Sequence, residues 1–262
     1  MNNRSPLRYP GGKTRGCKII EGQLLQHTDL SKYAKIISPF FGGGSFEFYM
    51  QNKYGFGIIA NDKFNPLYRF WNAAKTKKED LCRLLLPLRP TTKEKFTQYR
   101  NNIMTEKDPL ICAAWYFVIN RCSFSGATLS GGFSQQAAEK RFTESSITRV
   151  NNLDLSKTEM HNEDFTTFLT KDYENGLIFL DPPYYLQKAS KLYGKNGDLH
   201  ETFDHNGLAK ILKTKNHWIL CYNDCSYIRE LYNEYNIISV NWSYGMNKTK
   251  KSSEILILCF SS

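Results

Sequence analysis

The chain has no apolar run near the roughly 20 residues that a membrane-crossing helix needs, and no basic-then-apolar leader at its start. It is therefore expected to be soluble and cytoplasmic, without a membrane partner. Its seven cysteines, at positions 17, 82, 112, 122, 221, 225 and 259, are odd in number and include no Cys-x-x-Cys pair. They read as reduced, mostly buried thiols rather than a disulfide framework. His217, Cys221 and Cys225 lack the second cluster that a four-ligand zinc site requires, so no metal is expected. Internal repeats and low-complexity tracts are also missing. Acidic residues are in deficit, 25 against 35 Lys and Arg, and the deficit is local. Residues 69–151 hold 14 basic and 7 acidic residues, whereas the chain beyond them holds 12 and 14. A basic excess can be a plain solvated surface, but one concentrated in a segment is an electrostatic footprint for phosphate.

The most informative residues present are Asp181, Pro182, Pro183 and Tyr184. They follow Leu177-Ile178-Phe179-Leu180, an apolar run that reads as a parallel strand covered on both faces. In open α/β sheets the ligand crevice lies outside such carboxyl ends. The chemistry suits alkylation of an exocyclic amine, whose lone pair is delocalised until acceptors take its hydrogens. The Asp181 carboxylate is one acceptor and the Pro182 carbonyl the other, its direction fixed because Pro182 has a locked φ and precedes Pro183. Acceptors fixed in advance stabilise developing charge with little reorganisation. Tyr184 offers a face for a base to stack on, worth roughly 1 to 3 kcal/mol. An ordinary Pro-Pro turn is the plainer alternative.

A second motif supports the first. Residues 34–45, Ala-Lys-Ile-Ile-Ser-Pro-Phe-Phe-Gly-Gly-Gly-Ser, read as a strand broken at Pro39, a loop of Gly42, Gly43 and Gly44, and a helix capped by Ser45. Glycines there let the backbone approach a ligand closely. A short strand, Gly57 to Ala60, leads to Asp62, 20 residues after Gly42. That is the spacing at which an acidic side chain meets ribose hydroxyls in nucleotide-binding βαβ units.

The two motifs together resemble the Dam-type family of DNA adenine-N6 methyltransferases (D12 class, alpha group), in which a glycine motif precedes the catalytic one. Arg8 to Lys13, Asn120 to Gly126, His161 to Phe165, Trp218 to Asp224 and Lys251 to Ile257 resemble further family segments, in the same order along nearly the whole chain. The resemblance implies a doubly wound, mostly parallel seven-stranded α/β sheet, Rossmann-like, with a mainly helical target-recognition insertion. It implies transfer of methyl from S-adenosyl-L-methionine to the N6 amine of an adenine flipped out of double-stranded DNA. Asp181, Pro182, Pro183 and Tyr184 would be catalytic. Tyr9, Lys13, Pro39, Phe40, Phe41, Gly42, Gly43, Gly44, Ser45, Asp62, Asp164, Phe165 and Asp181 would hold the cofactor. Arg89, Asn120, Arg121, Ser123, Ser125, Gly126, Lys140, Arg141, Lys188 and Lys191 would meet DNA. Ser125 stands where many relatives have Asn, and Tyr9-Pro10 where some have Trp-Ala. An RNA or tRNA adenine methyltransferase, and a catalytically silent DNA-binding relative, are the alternatives.

The catalytic domain is expected over residues 1–64 and 153–262, and the insertion over 65–152. Within the insertion, residues 63–110 read as short helices. Leu110 to Ile119 reads as a buried helix delivering Asn120 and Arg121 into a loop, and Ala127 to Ser134 as a β-hairpin turning at Gly131-Gly132. Leu186 to His205 reads as a long loop that orders over substrate. His217 to Cys221, Ile237 to Trp242 and Glu254 to Phe260 read as strands, the last two antiparallel, with a helix over Cys225 to Tyr235. A companion restriction endonuclease, and a monomeric or weakly dimeric state, complete the expectations.

Overall fold

A computed structural model describes residues 2–185, 203–242 and 252–260. Seven strands form one sheet: β1 (Lys35–Ser38), β2 (Gly57–Asn61), β3 (Thr158–His161), β4 (Gly176–Leu180), β5 (Trp218–Asn223), β6 (Asn236–Trp242) and β7 (Ser252–Cys259). Their order is β3-β2-β1-β4-β5-β7-β6. The first five run parallel, and β7 lies antiparallel between β5 and β6.

The apolar runs follow from this layering. Along β4, Leu177 and Phe179 enter one core while Ile178 and Leu180 enter the core on the opposite face. Successive side chains point to opposite faces, so a strand covered on both must be apolar throughout. The first core is covered by α1 (Cys17–His27), α2 (Ser45–Tyr54), α3 (Asn65–Thr76) and α6 (Pro109–Cys122). The second is covered by α9 (Phe165–Phe168), α10 (His205–Leu212) and α11 (Ser226–Leu231).

Between β2 and β3 the chain forms helices α3 to α8, the others being α4 (Lys78–Leu85), α5 (Lys93–Asn102), α7 (Gln135–Arg141) and α8 (Glu144–Asn151). Their core is continuous with the sheet's: Phe70, Trp71 and Phe117 share one cluster with Ile36, Ile58 and Phe179. Helix α6 is apolar on nearly every face, and Asp108 caps it by accepting from the Leu110 and Ile111 amides.

Three local expectations are corrected. Asn120 and Arg121 complete the last turn of α6 instead of entering a loop. Residues 127–134 form no hairpin: 3-10 turns at Phe124–Gly126 and Thr128–Ser130 replace it, with a single antiparallel bridge between Ser123 and Phe133. Ser125 and Thr128 hold φ of 54° and 47°, and Ser123 Oγ accepts the Thr128 amide at 3.1 Å, which coils the chain back before a ladder can form. The helix after β5 stops at Leu231, short of Tyr235. Most of the expected substrate loop, residues 186–202, lies outside the described residues, and its last residue, His205, begins α10.

The chain leaves β1 towards β2 and β3, then returns to place β4 on the other side of β1. The strand order therefore reverses between β1 and β4, where open α/β sheets form their ligand crevice.

Candidate active site

The carboxyl ends of β1 and β4 open on one cavity of ≈ 740 Å³. Asp181, Pro182, Pro183 and Tyr184 line it, together with Tyr9, Lys13, Pro39 to Ser45, Asp62, Asp164 and Phe165. Residues separated by up to 175 positions are thus brought to one crevice because β1 and β4 are neighbours.

The glycine loop is built for close approach. Gly42 has a φ of +51°, and a Cβ there would sit 2.7 Å from the Tyr9 ring; at Gly44, φ +65°, it would sit 2.5 Å from the Phe41 ring. Neither position admits a side chain without strain and displacement. Phe41 points into the core against Phe48 and Trp71, while Phe40 faces the cavity. Ser45, expected to cap α2, lies in its first turn; Gly44 is the N-cap, without a side-chain cap bond. The left-handed turn at Gly44 takes the cap position.

Asp62 accepts the Gly42 amide on one oxygen and the Phe64 amide on the other, each at 3.0 Å. It therefore braces the glycine loop as well as lining the cavity. Burial pushes its carboxyl up to about 6, with those two amides pulling the other way. Asp164 caps α9 through the Thr166 amide and pairs with Lys63 at 2.7 Å. Beside it Phe40, Phe165 and Phe203 form a triangle of rings with centroids 5.2 to 5.7 Å apart.

Lys13 links the cavity wall to the Asp181 motif. Its Nζ donates to both Asp181 oxygens at 2.7 Å and to the Gly11 carbonyl at 2.9 Å. The Lys13 side chain is 2% exposed and that of Asp181 21%. Burial raises the Asp181 carboxyl, and the Lys13 charge holds it down. Lys13 also lies 5.2 Å from the Tyr184 ring centroid, and the Tyr184 hydroxyl donates to Glu254 Oε2 at 2.7 Å. The ring is therefore fixed at both ends.

Two carboxylates here had no role in the sequence reading. Glu254 on β7 anchors Tyr184, and Glu47 in the first turn of α2 lines the cavity beneath the glycine loop. Glu47 is buried and accepts from Ser38 Oγ at 2.5 Å. An acidic residue inside an otherwise apolar stretch, as in Phe46-Glu47-Phe48, was the available signal.

The residues named for DNA separate into two groups. Asn120 is fully buried, donating to the Arg8 carbonyl at 2.6 Å and accepting the Arg8 amide at 2.9 Å. Arg121 is buried and donates to the Pro6 and Arg141 carbonyls. Burial, with Arg149, Arg8 and Arg141 nearby, pushes its guanidinium down to about 10. Reading a base edge uses donors at the surface, and the donors of these two side chains are held by the protein's own backbone. Ser123 and Gly126 are buried, and Arg89 donates to the Phe142 carbonyl and pairs with Glu144. Ser125 and Lys140 are exposed, Arg141 partly so, and Lys188 and Lys191 lie outside the described residues. Phe124, not anticipated, is 70% exposed on the loop whose Thr128 lines the cavity.

Among the described residues all seven cysteines are free, no cluster of three or more His, Cys, Asp or Glu is placed to hold a metal, and no helix is long and apolar enough to cross a membrane.

The type II methyltransferase M.MjaIII of Methanocaldococcus jannaschii is 25% identical over 197 residues, covering 68% of each chain. Residues 9–246, which contain the glycine loop, the helical segment and the Asp181 motif, match a single enzyme family. The chain belongs to the D12 class of N6 adenine-specific DNA methyltransferases.

Proposed function

We propose that the cavity binds S-adenosylmethionine beneath the glycine loop and presents its methyl group to an adenine N6 held at Asp181 to Tyr184, the adenine having been rotated out of duplex DNA. The observation that carries this reading is the junction of the two motifs in one cavity at the β1–β4 switch point. Its volume falls in the range of small-molecule sites, and Gly42 and Gly44 leave room that a Cβ would fill. The bound donor supplies an already electrophilic methyl.

The protein's own residues then align and accept. Asp181 and the Pro182 carbonyl accept hydrogen bonds from the two N–H groups of the amine, so that its lone pair turns towards the methyl; the amine becomes cationic as the new N–C bond forms and then loses one proton, and no covalent enzyme intermediate is needed. Positioning of this kind is worth up to roughly 7 to 11 kcal/mol in favourable cases. The Lys13 charge opposes the burial that raises the Asp181 carboxyl, and each Asp181 oxygen keeps a lone pair with which to accept from the amine. Tyr184, held by Glu254, stacks on the base. The Phe40, Phe165 and Phe203 triangle beside Asp164 suits the donor's adenine, and Asp62 the ribose.

Residues 65–152 serve as the target-recognition insertion. Its exposed Lys140 and Ser125 suit phosphate and groove contacts, and exposed Phe124 suits insertion beside the vacated base position. Unstacking a base costs a few kcal/mol, which these contacts help to offset. The naming of M.MjaIII as a type II methyltransferase supports a site-specific, modification-type role. The test is incubation with labelled S-adenosylmethionine and matched duplex DNA and RNA, followed by nucleoside digestion. N6-methyldeoxyadenosine from DNA alone is expected; label in cytosine, or in RNA only, would overturn the proposal.

A further inference from the structure

One buried charge in the cavity is not used by the scheme above. Glu47 follows the glycine loop directly, in the first turn of α2, with 2% of its surface exposed. Its Oε1 takes a 2.5 Å hydrogen bond from Ser38, the last residue of β1, so the carboxylate is held at the base of the crevice. It lines the same cavity as Lys13 and Asp181, and lies close enough for both charges to act on it. The groups around it are Lys13 and Cys17 from the N-terminal turn and α1, Ser38 from β1, Asp181 from the end of β4, and Cys221 from β5. Lys13 is committed to both Asp181 oxygens and the Gly11 carbonyl. Among the described residues, Asp181 and Glu47 both face the Lys13 ammonium, so a cationic ligand beside Glu47 would be favoured.

The donor's cationic group is placed by the chemistry. The amine is held at Asp181, the methyl must reach it, and the sulfur is one bond beyond the methyl. The sulfonium thus lies near Asp181, and Glu47 is close enough to Asp181 for the two charges to act on each other. We propose that Glu47 is the counter-charge for the sulfonium of the methyl donor and lets the cavity distinguish donor from demethylated product. The inference rests on S-adenosylmethionine being the donor. Once the methyl has left, the thioether is neutral and Glu47 loses its partner, which favours product release.

A proton should report the event. Burial pushes the Glu47 carboxyl up to about 7, so the free protein carries it partly protonated at neutral pH. A cation bound beside it favours the ionised form, so binding should release a fraction of a proton per site near neutral pH, falling to none well above it.

Calorimetry in buffers of different ionisation enthalpy, with S-adenosylmethionine and S-adenosylhomocysteine as ligands, tests this. In wild-type protein the sulfonium ligand should release protons and the thioether should not. Glu47→Gln keeps the size of the side chain and an acceptor for Ser38. It should abolish that release and weaken S-adenosylmethionine on the order of 10- to 100-fold, with about threefold or less for S-adenosylhomocysteine. Equal weakening of both ligands, or release that survives in Glu47→Gln and so originates at Asp181, would overturn the assignment. If the variant fails to fold, the wild-type comparison decides: equal proton release with both ligands refutes it. Wild-type protein that binds neither ligand would instead remove the donor reading itself.

Discussion

The ion pair between Lys13 and Asp181 makes a quantitative prediction about stability. Replacing Asp181 by Asn strands Lys13, whose side chain is 2% exposed; replacing Lys13 by Met strands Asp181, which is 21% exposed. Two unit charges about 4 Å apart attract by roughly 4 kcal/mol at an effective dielectric of 20. Stranding one member of a buried pair costs roughly 3 to 5 kcal/mol. Asp181→Asn should fall in that range. Lys13→Met should cost less, about 2 to 3 kcal/mol, because Asp181 is open to the cavity and can take up a proton. The double variant strands nothing, and should be more stable than the sum of the single losses implies by about 2 kcal/mol or more. Urea denaturation of the four proteins at pH 7.5 measures the cycle. Repeating it at lower pH should shrink the Lys13→Met penalty as Asp181 is neutralised. Additive single losses of less than about 1 kcal/mol each would refute the view that Lys13 and Asp181 form a coupled buried ion pair.

Gly42→Ala forces a side chain into φ +51° and against the Tyr9 ring. It should cost about 1 to 2 kcal/mol in denaturation and weaken S-adenosylmethionine binding in calorimetry, with a smaller effect on DNA affinity. Glu47 carries a folded-state proton affinity above its unfolded one, so its contribution is most favourable below about pH 4 and is lost as pH rises towards 7. Glu47→Gln should therefore be more stable than wild type at pH 8, by up to about 3 kcal/mol, and lose that advantage near pH 4; thermal melts across pH check it. DNA affinity should fall steeply with salt, and Lys140→Ala should flatten the slope by about one unit of log K against log salt.

Much of this was legible in the sequence, for identifiable reasons. The run Leu177 to Leu180 is apolar because its residues feed two cores alternately, which only a doubly covered strand does. The spacing from Gly42 to Asp62 survived into the fold because β1 and β2 are adjacent parallel strands, which places Asp62 beside the loop. Other features were hidden. Gly131-Gly132 signalled a hairpin, but the left-handed turns at Ser125 and Thr128 lie outside glycine and left no mark. Asn120 and Arg121 were expected to meet DNA because Asn120 to Gly126 resembles a family segment, and their place on the last turn of α6 was not legible from that resemblance. Here the chain segment at Pro6 to Arg8 covers that end and takes their hydrogen bonds. The links from Tyr184 to Glu254 and from Ser38 to Glu47 join different elements, so no local pattern could announce them.

Methyl transfer by Asp181→Ala tests the central claim most directly. With tritium-labelled S-adenosylmethionine and adenine-containing duplex DNA, incorporation should fall by roughly 10²- to 10⁴-fold or more, while calorimetry still detects donor binding. Incorporation at near the wild-type rate would contradict the account.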